Sequence, residues 1–219
     1  LGNMGVFGEV INIDTDTFST VMGIVGMYFG MLLIVFGIQA ANYGFGLVTI
    51  EESELTADFL ITKPIRRTKI LTAKIAASLV IMTVTCVLYI ASTYYIIITV
   101  SDGFEVDKKA LLLVLASAFF VQLFFFGIGL LISLFMKKIK SVAPFSMGLV
   151  FSLYILSAFA RTFEIDFLKY INPFSYFDTA QIAANANYDM TCFIINLCVA
   201  AVSIAAAYFL YQRRDIKSV

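Results

Sequence analysis

The sequence predicts an all-α fold, a polytopic bundle of transmembrane helices, and three observations lead there. Of its 219 residues, 61% are hydrophobic and only 14% charged, giving a mean hydropathy of +0.94, far from the balance of a soluble domain. The apolar residues are gathered into blocks of the length a helix needs to cross the hydrocarbon, about 20 residues. The charged residues fall between those blocks, in short connections.

Taken in order, the apolar blocks are Val21–Tyr43, Ile70–Val100, Ala110–Met136, Val142–Ala160 and Thr191–Tyr211. The first carries Gly23, Gly26 and Gly30, with Gly26-x-x-x-Gly30 at the spacing that lets two helix backbones approach, either within the subunit or in a dimer. The second would be about 46 Å long at ~1.5 Å per residue, more than the hydrocarbon requires. It therefore tilts or projects at its Lys69–Lys74 end, unless it is broken. The third holds Gln122 at its centre and Gly127 and Gly129 beyond it.

The connections are informative too. Ser101–Lys109 and Lys137–Ser141 are tight and predict antiparallel neighbours. The stretch Arg161–Asp189 is longer: Asn172-Pro173-Phe174 reads as a turn and Ser175-x-x-Asp178 as a capping box. A short helix then follows in the interface or dips back into the bundle. Between the first two blocks lies a charged segment, Glu51-Glu52-Ser53-Glu54-Leu55-Thr56-Ala57-Asp58-Phe59-Leu60-Ile61-Thr62-Lys63-Pro64-Ile65-Arg66-Arg67. Carboxylates at its start, an apolar middle, and a proline followed by cations at its end predict a short amphipathic helix.

Basic residues set the expected orientation. Lys63, Arg66, Arg67 and Lys69 share a side with Lys137, Lys138, Lys140, Arg213, Arg214 and Lys217; only Lys108, Lys109, Arg161 and Lys169 lie opposite. The richer side is cytoplasmic by the positive-inside rule. This puts the Leu1 end outside the cell and the C-terminus in the cytoplasm. Residues 1–17 have neither a basic start nor a continuous apolar core to carry an outside N-terminus across. The expectation is therefore a further span upstream, six in the full protein against five here, with residues 1–219 forming a single transmembrane domain.

Several function classes are excluded or disfavoured. There is no histidine, which removes His-based triads and most zinc sites. Cys86, Cys192 and Cys198 lie in apolar runs without metal-ligand spacing and read as small hydrophobes. No catalytic residue, metal site or cofactor is expected, and no basic face suggests nucleic acid. Charges are all but absent from the span centres, which counts against an ion-coupled carrier. Gln39, Asn42 and Gln122 read first as interhelical hydrogen-bonding groups. Gln122 is also the candidate for a translocation path.

Three local patterns then combine. Glu51 or Glu52 precedes Leu60-Ile61-Thr62-Lys63-Pro64, followed by Arg66 or Arg67 and by Lys74 opening the next span; Asn172-Pro173-Phe174 lies in the external stretch; and Arg213-Arg214-Asp215 follows the last span. In order and placement they resemble the permease subunits of ABC exporters of the six-span, type-2 class. The resemblance covers nearly the whole chain. It implies a plasma-membrane exporter subunit in which the 51–67 segment is a cytoplasmic coupling helix. Leu55, Phe59 and Leu60 would seat in a cleft of a separate ABC ATPase, with Glu51, Glu52, Glu54, Arg66 and Arg67 as the polar rim and Pro64 ending the helix. It also implies two ATPase copies and a second permease subunit, identical or not, in membrane lipid. ATP hydrolysis would belong to the partner, since the chain has no Gly-rich phosphate loop with Lys-Ser/Thr. The alternative is a non-transporting membrane scaffold that recruits a cytoplasmic partner through 51–67.

Overall fold

The computed structural model describes residues 20–53, 67–101, 106–136, 141–163 and 166–213. Every regular element among them is an α-helix: α1 Val21–Ser53, α2 Arg67–Val100, α3 Lys108–Phe135, α4 Ala143–Thr162, α5 Asp166–Lys169, α6 Pro173–Tyr176, α7 Thr179–Asn185 and α8 Met190–Arg213. Five are long and apolar enough to cross a membrane: Val21–Thr49, Thr68–Val100, Lys108–Phe135, Ala143–Ala160 and Met190–Gln212. Each coincides with one of the apolar blocks, so the polytopic helical bundle is the observed architecture.

Two boundaries differ from the sequence reading. The first helix continues well past Tyr43, to Ser53. Asn42, Gly44 and Gly46 dilute its hydropathy but do not break it, and Thr49 closes its hydroxyl on the Phe45 carbonyl at 2.6 Å, the back-bonding expected of a helical threonine. Beyond Lys169, two short helices replace the single one expected. Asn172 caps α6 by accepting from the Phe174 amide at 3.0 Å, with Pro173 at the first helical position. Asp178 is itself the N-cap of α7, accepting from Ala180 at 2.9 Å, rather than the far end of a capping box. Ser175 instead meets the Ser157 hydroxyl at 3.2 Å. The second block shows no break: α2 is continuous over its 34 residues.

The third helix is the axis of the bundle. Its span window is 61% buried, against 17–28% for the other four, and it packs most extensively on α1 and next on α8. Two glycines explain how both neighbours come so close. Gly127 and Gly129 are two positions apart and so point to nearly opposite faces, about 200° around the helix. A Cβ on Gly127 would lie 3.2 Å from the Ala200 carbonyl oxygen of α8, and one on Gly129 would lie 3.1 Å from the Ala41 carbonyl oxygen of α1. Small residues allow this approach where no hydrophobic effect drives helices together.

The short helices dip back into the bundle, one of the two placements expected for this stretch. Pro173, Phe174, Tyr176, Phe177 and Ile182 are buried. Phe177 stacks on Phe120 of α3 with centroids 5.9 Å apart, and Phe174 meets Phe125 at 5.5 Å. Their polar groups are answered by backbone: Asn172 Nδ2 donates to the Leu153 carbonyl at 2.7 Å, Tyr176 to Tyr170 at 2.7 Å and Tyr188 to Leu113 at 2.6 Å. Burial holds the Tyr176 and Tyr188 hydroxyls up at about 12, so both stay neutral donors. The three cysteines are free; Cys86 and Cys192 are buried and Cys198 exposed.

Candidate functional site

The charged segment between α1 and α2 is bracketed by the described helices. Glu51 and Glu52 fall in the last turn of α1, and Arg67 opens α2. The backbone of α1 continues through Glu51 and Glu52 to Ser53. Glu54, Leu55, Phe59, Leu60, Pro64 and Arg66 lie outside the described residues.

What holds the two bracketing ends together was only partly legible. Lys74 was recognisable as the basic residue opening the second span; its partner was not. Its ammonium donates to the Leu47 carbonyl oxygen of α1 at 2.7 Å. That carbonyl lies within α1, six residues before the helix ends at Ser53, and its second lone pair is free to accept beyond the helical bond. Two positions earlier, the Thr72 hydroxyl accepts from Tyr208 of α8 at 2.9 Å and donates to the Thr68 carbonyl at 2.8 Å. The same stretch of α2 is therefore tied to α1 and to α8.

At their other ends α1 and α2 part. A cavity of about 440 Å³ lies between them, lined by residues that include Ile24, Tyr28, Leu32, Tyr89, Thr93 and Ile97, with no charged side chain among its lining. Tyr28 and Ile96 at its walls are 60% and 57% exposed, so the gap opens sideways, where lipid would lie.

A polar seam crosses the apolar core. Gln122, fully buried, donates through Nε2 to Gln39 Oε1 of α1 at 3.3 Å, and Ser146 of α4 donates to Asn42 Oδ1 at 2.6 Å. Gln39 and Asn42 are three residues apart and share one helix face, so α1 presents both amides to its neighbours. Asn196 of α8 donates to the Phe120 carbonyl at 3.1 Å. The seam carries two buried oxygens without a hydrogen-bond partner, Gln122 Oε1 and Asn196 Oδ1. The interhelical bonding read from the sequence is present, worth about 0.6–2 kcal/mol per bond in a membrane.

The glycine stripe divides. Gly26 packs closely, since a Cβ there would lie 2.8 Å from Thr179 Oγ1 of α7, whereas a Cβ on Gly30 would meet nothing within 4 Å. The Gly23 amide is taken up in the helix cap, donating to Thr20 Oγ1 at 3.1 Å. The tightest crossing lies further along, where a Cβ on Gly44 would reach 2.5 Å from the Phe126 carbonyl oxygen and 2.8 Å from the Leu130 amide nitrogen. Ala40-x-x-x-Gly44 and Gly37-x-x-x-Ala41 were the sequence signals for it. Among the described residues no group of His, Cys, Asp and Glu is placed to hold a metal ion.

Long apolar helices and an amide seam describe a bundle built to span a membrane. No curated protein and no solved structure matches this chain. The family model described as ABC-2 family transporter protein matches residues 4–216, nearly the whole sequence, and this multi-pass membrane protein belongs to that family.

Proposed function

We propose that the chain is the permease subunit of an ATP-driven exporter of the plasma membrane, its residues 1–219 forming one transmembrane permease domain. It receives motion from a separate cytoplasmic ABC ATPase through the 51–67 segment. The observation that carries this reading is the position of that segment. It lies within the family match, joins two spans that both exceed the bilayer, and has an apolar centre flanked by acidic and basic residues. The apolar centre suits a cleft in a partner, and the charges suit its rim. Four carboxylates in the segment, at Glu51, Glu52, Glu54 and Asp58, disfavour a helix that merely rests on anionic lipid.

In this reading the segment and the C-terminus are cytoplasmic, and the Leu1 end of α1 is extracytoplasmic, following the bias of lysine and arginine. Two ATPases close on ATP and drive two permease subunits, identical or different, with Gly30, where a Cβ would meet nothing within 4 Å, on a face open to a second copy. Gln122 is the polar group nearest to a substrate path through the bundle core.

Phe59→Asp places a carboxylate in the apolar docking surface. The full chain carrying it should insert and accumulate normally while losing the ATPase in a detergent pull-down and losing transport. An undiminished pull-down would rule out docking through this segment.

A further inference from the structure

Between them, α1 and α2 are the two arms that leave the 54–66 segment, and they are joined unevenly. Side-chain packing holds α2 weakly: only 17% of its span window is buried, the smallest share of any span. Its far end is separated from α1 by the apolar cavity. Its near end carries two polar links in one turn. Lys74 Nζ reaches the Leu47 carbonyl of α1 at 2.7 Å, and Tyr208 of α8 reaches Thr72 Oγ1 at 2.9 Å.

These links grip α2 from two sides. Residues 72 and 74 are about 200° apart around a helix, so one points to α8 and the other to α1. The Leu47 carbonyl has a second lone pair available beyond its helical bond, and the ammonium reaches it on a four-carbon stem that can lie along apolar surface. Thr72 accepts from Tyr208 while donating to the Thr68 carbonyl at 2.8 Å, a chain in which each bond polarises the next.

We propose that Lys74 and Tyr208 are positioning residues that clamp the segment-flanking ends of α1, α2 and α8 into one lever. A push delivered to the 54–66 segment then moves all three helices together and is not absorbed by bending α2 away from its neighbours. The inference rests on the reading of that segment as the ATPase coupling site. It assigns the transmission of the stroke to an ammonium–carbonyl bond and a hydroxyl–hydroxyl bond behind the docking surface.

The test uses the full chain in complex with its partner ATPase, in a background lacking the three native cysteines, with spin labels introduced in pairs. Gly46, where a Cβ meets nothing within 4 Å, serves on α1, and the exposed Ala77 and Gln212 serve on α2 and α8. Distances are read by pulsed electron resonance without nucleotide and with magnesium, ATP and vanadate. The Gly46–Ala77 and Ala77–Gln212 distances should stay constant in the unsubstituted lever. Lys74→Met should make the first shift with nucleotide while Lys74→Arg keeps it constant, and Tyr208→Phe should make the second shift. A loss of fold alone would lower the yield of the complex and its melting temperature without producing a nucleotide-dependent shift. Constant distances in Lys74→Met and Tyr208→Phe would overturn the clamp alone. Failure of the unsubstituted chain to retain the ATPase would overturn the coupling reading, and the clamp with it.

Discussion

Gly44 of α1 lies against the backbone of Phe126 in α3 so closely that even a methyl group has no room, its carbon falling 2.5 Å from the Phe126 carbonyl oxygen. The obstacle is main chain, which cannot rotate aside, so relief requires moving one helix against the other. Gly44→Ala should therefore cost about 1–3 kcal/mol, the usual penalty of overpacking. Gly30→Ala, introduced where a Cβ meets nothing within 4 Å, should stay within about 0.5 kcal/mol of the parent. Thermal unfolding in detergent, followed by thiol-reactive dye at the buried Cys86 and Cys192, would compare them. Equal melting temperatures would argue against the α1–α3 crossing.

The buried amides make an asymmetric prediction. Gln39→Leu takes away the hydrogen-bond partner of Gln122, whose Oε1 is already unpaired, and should cost about 1–3 kcal/mol, the penalty of stranding a buried polar group. Gln122→Leu removes the unpaired oxygen along with the bond and leaves Gln39 only partly buried. It should cost less than Gln39→Leu, and the double substitution should lie closer to the parent than Gln39→Leu does. A double-mutant cycle on unfolding midpoints measures the coupling directly.

The Lys169–Asp189 pair, 3.3 Å apart, gives a pH dependence. Burial alone would raise the Asp189 carboxyl, but the Cys192 amide, the Lys169 ammonium and the Thr191 amide outweigh it and hold it below its ordinary 3.8. A depressed carboxyl stabilises the fold above its unfolded value and loses that contribution as pH falls through the folded value, here below 3.8. For Lys169, burial works against the charge, yet the bond to Asp189 and nearby charges raise it above 10.5. Its contribution is complete below that value and lost as pH rises through the folded one. Asp189→Ala also removes the cap on α8 made through Thr191 at 3.0 Å. The gap in melting temperature between parent and variant should be constant near neutrality and narrow as pH falls below 3.8.

Asn172 anchors the short helices between the fourth and fifth spans through both ends of its amide, donating to Leu153 and accepting from Phe174. Asn172→Asp keeps the acceptor for the cap and loses the donor to α4. It should retain α6 but cost about 1–3 kcal/mol through the lost bond to α4 and the buried acid. Asn172→Ala should cost at least as much and expose the 172–177 backbone to hydrogen exchange.

The spans were legible because lipid imposes a length and a composition that a single sequence displays. The end of α1 was less so: Asn42, Gly44 and Gly46 look like a weakening of the apolar run, yet Gly44 is there to admit the α3 backbone. For the same reason Gly26-x-x-x-Gly30 attracted attention by its spacing, while the closest crossing pairs Gly44 with Phe126, a match between distant segments. The amides at 39, 42 and 122 announced hydrogen bonds without saying to whom. Lys74 could be placed at the start of a span, but a backbone carbonyl leaves no mark in a sequence, and so its partner Leu47 was invisible. The short helices after Lys169 were misdivided because Asn172 and Asp178 both cap, where the spacing from Ser175 suggested a single box.

Coupling to an ATPase requires the 51–67 segment to face the cytoplasm, where the ATPase can grip it. In a background without the native cysteines, Thr62→Cys should resist a membrane-impermeant maleimide in intact cells, react once the membrane is opened, and be shielded again when the ATPase is bound. Modification of Thr62→Cys in intact cells would place the segment on the opposite side and contradict the central claim.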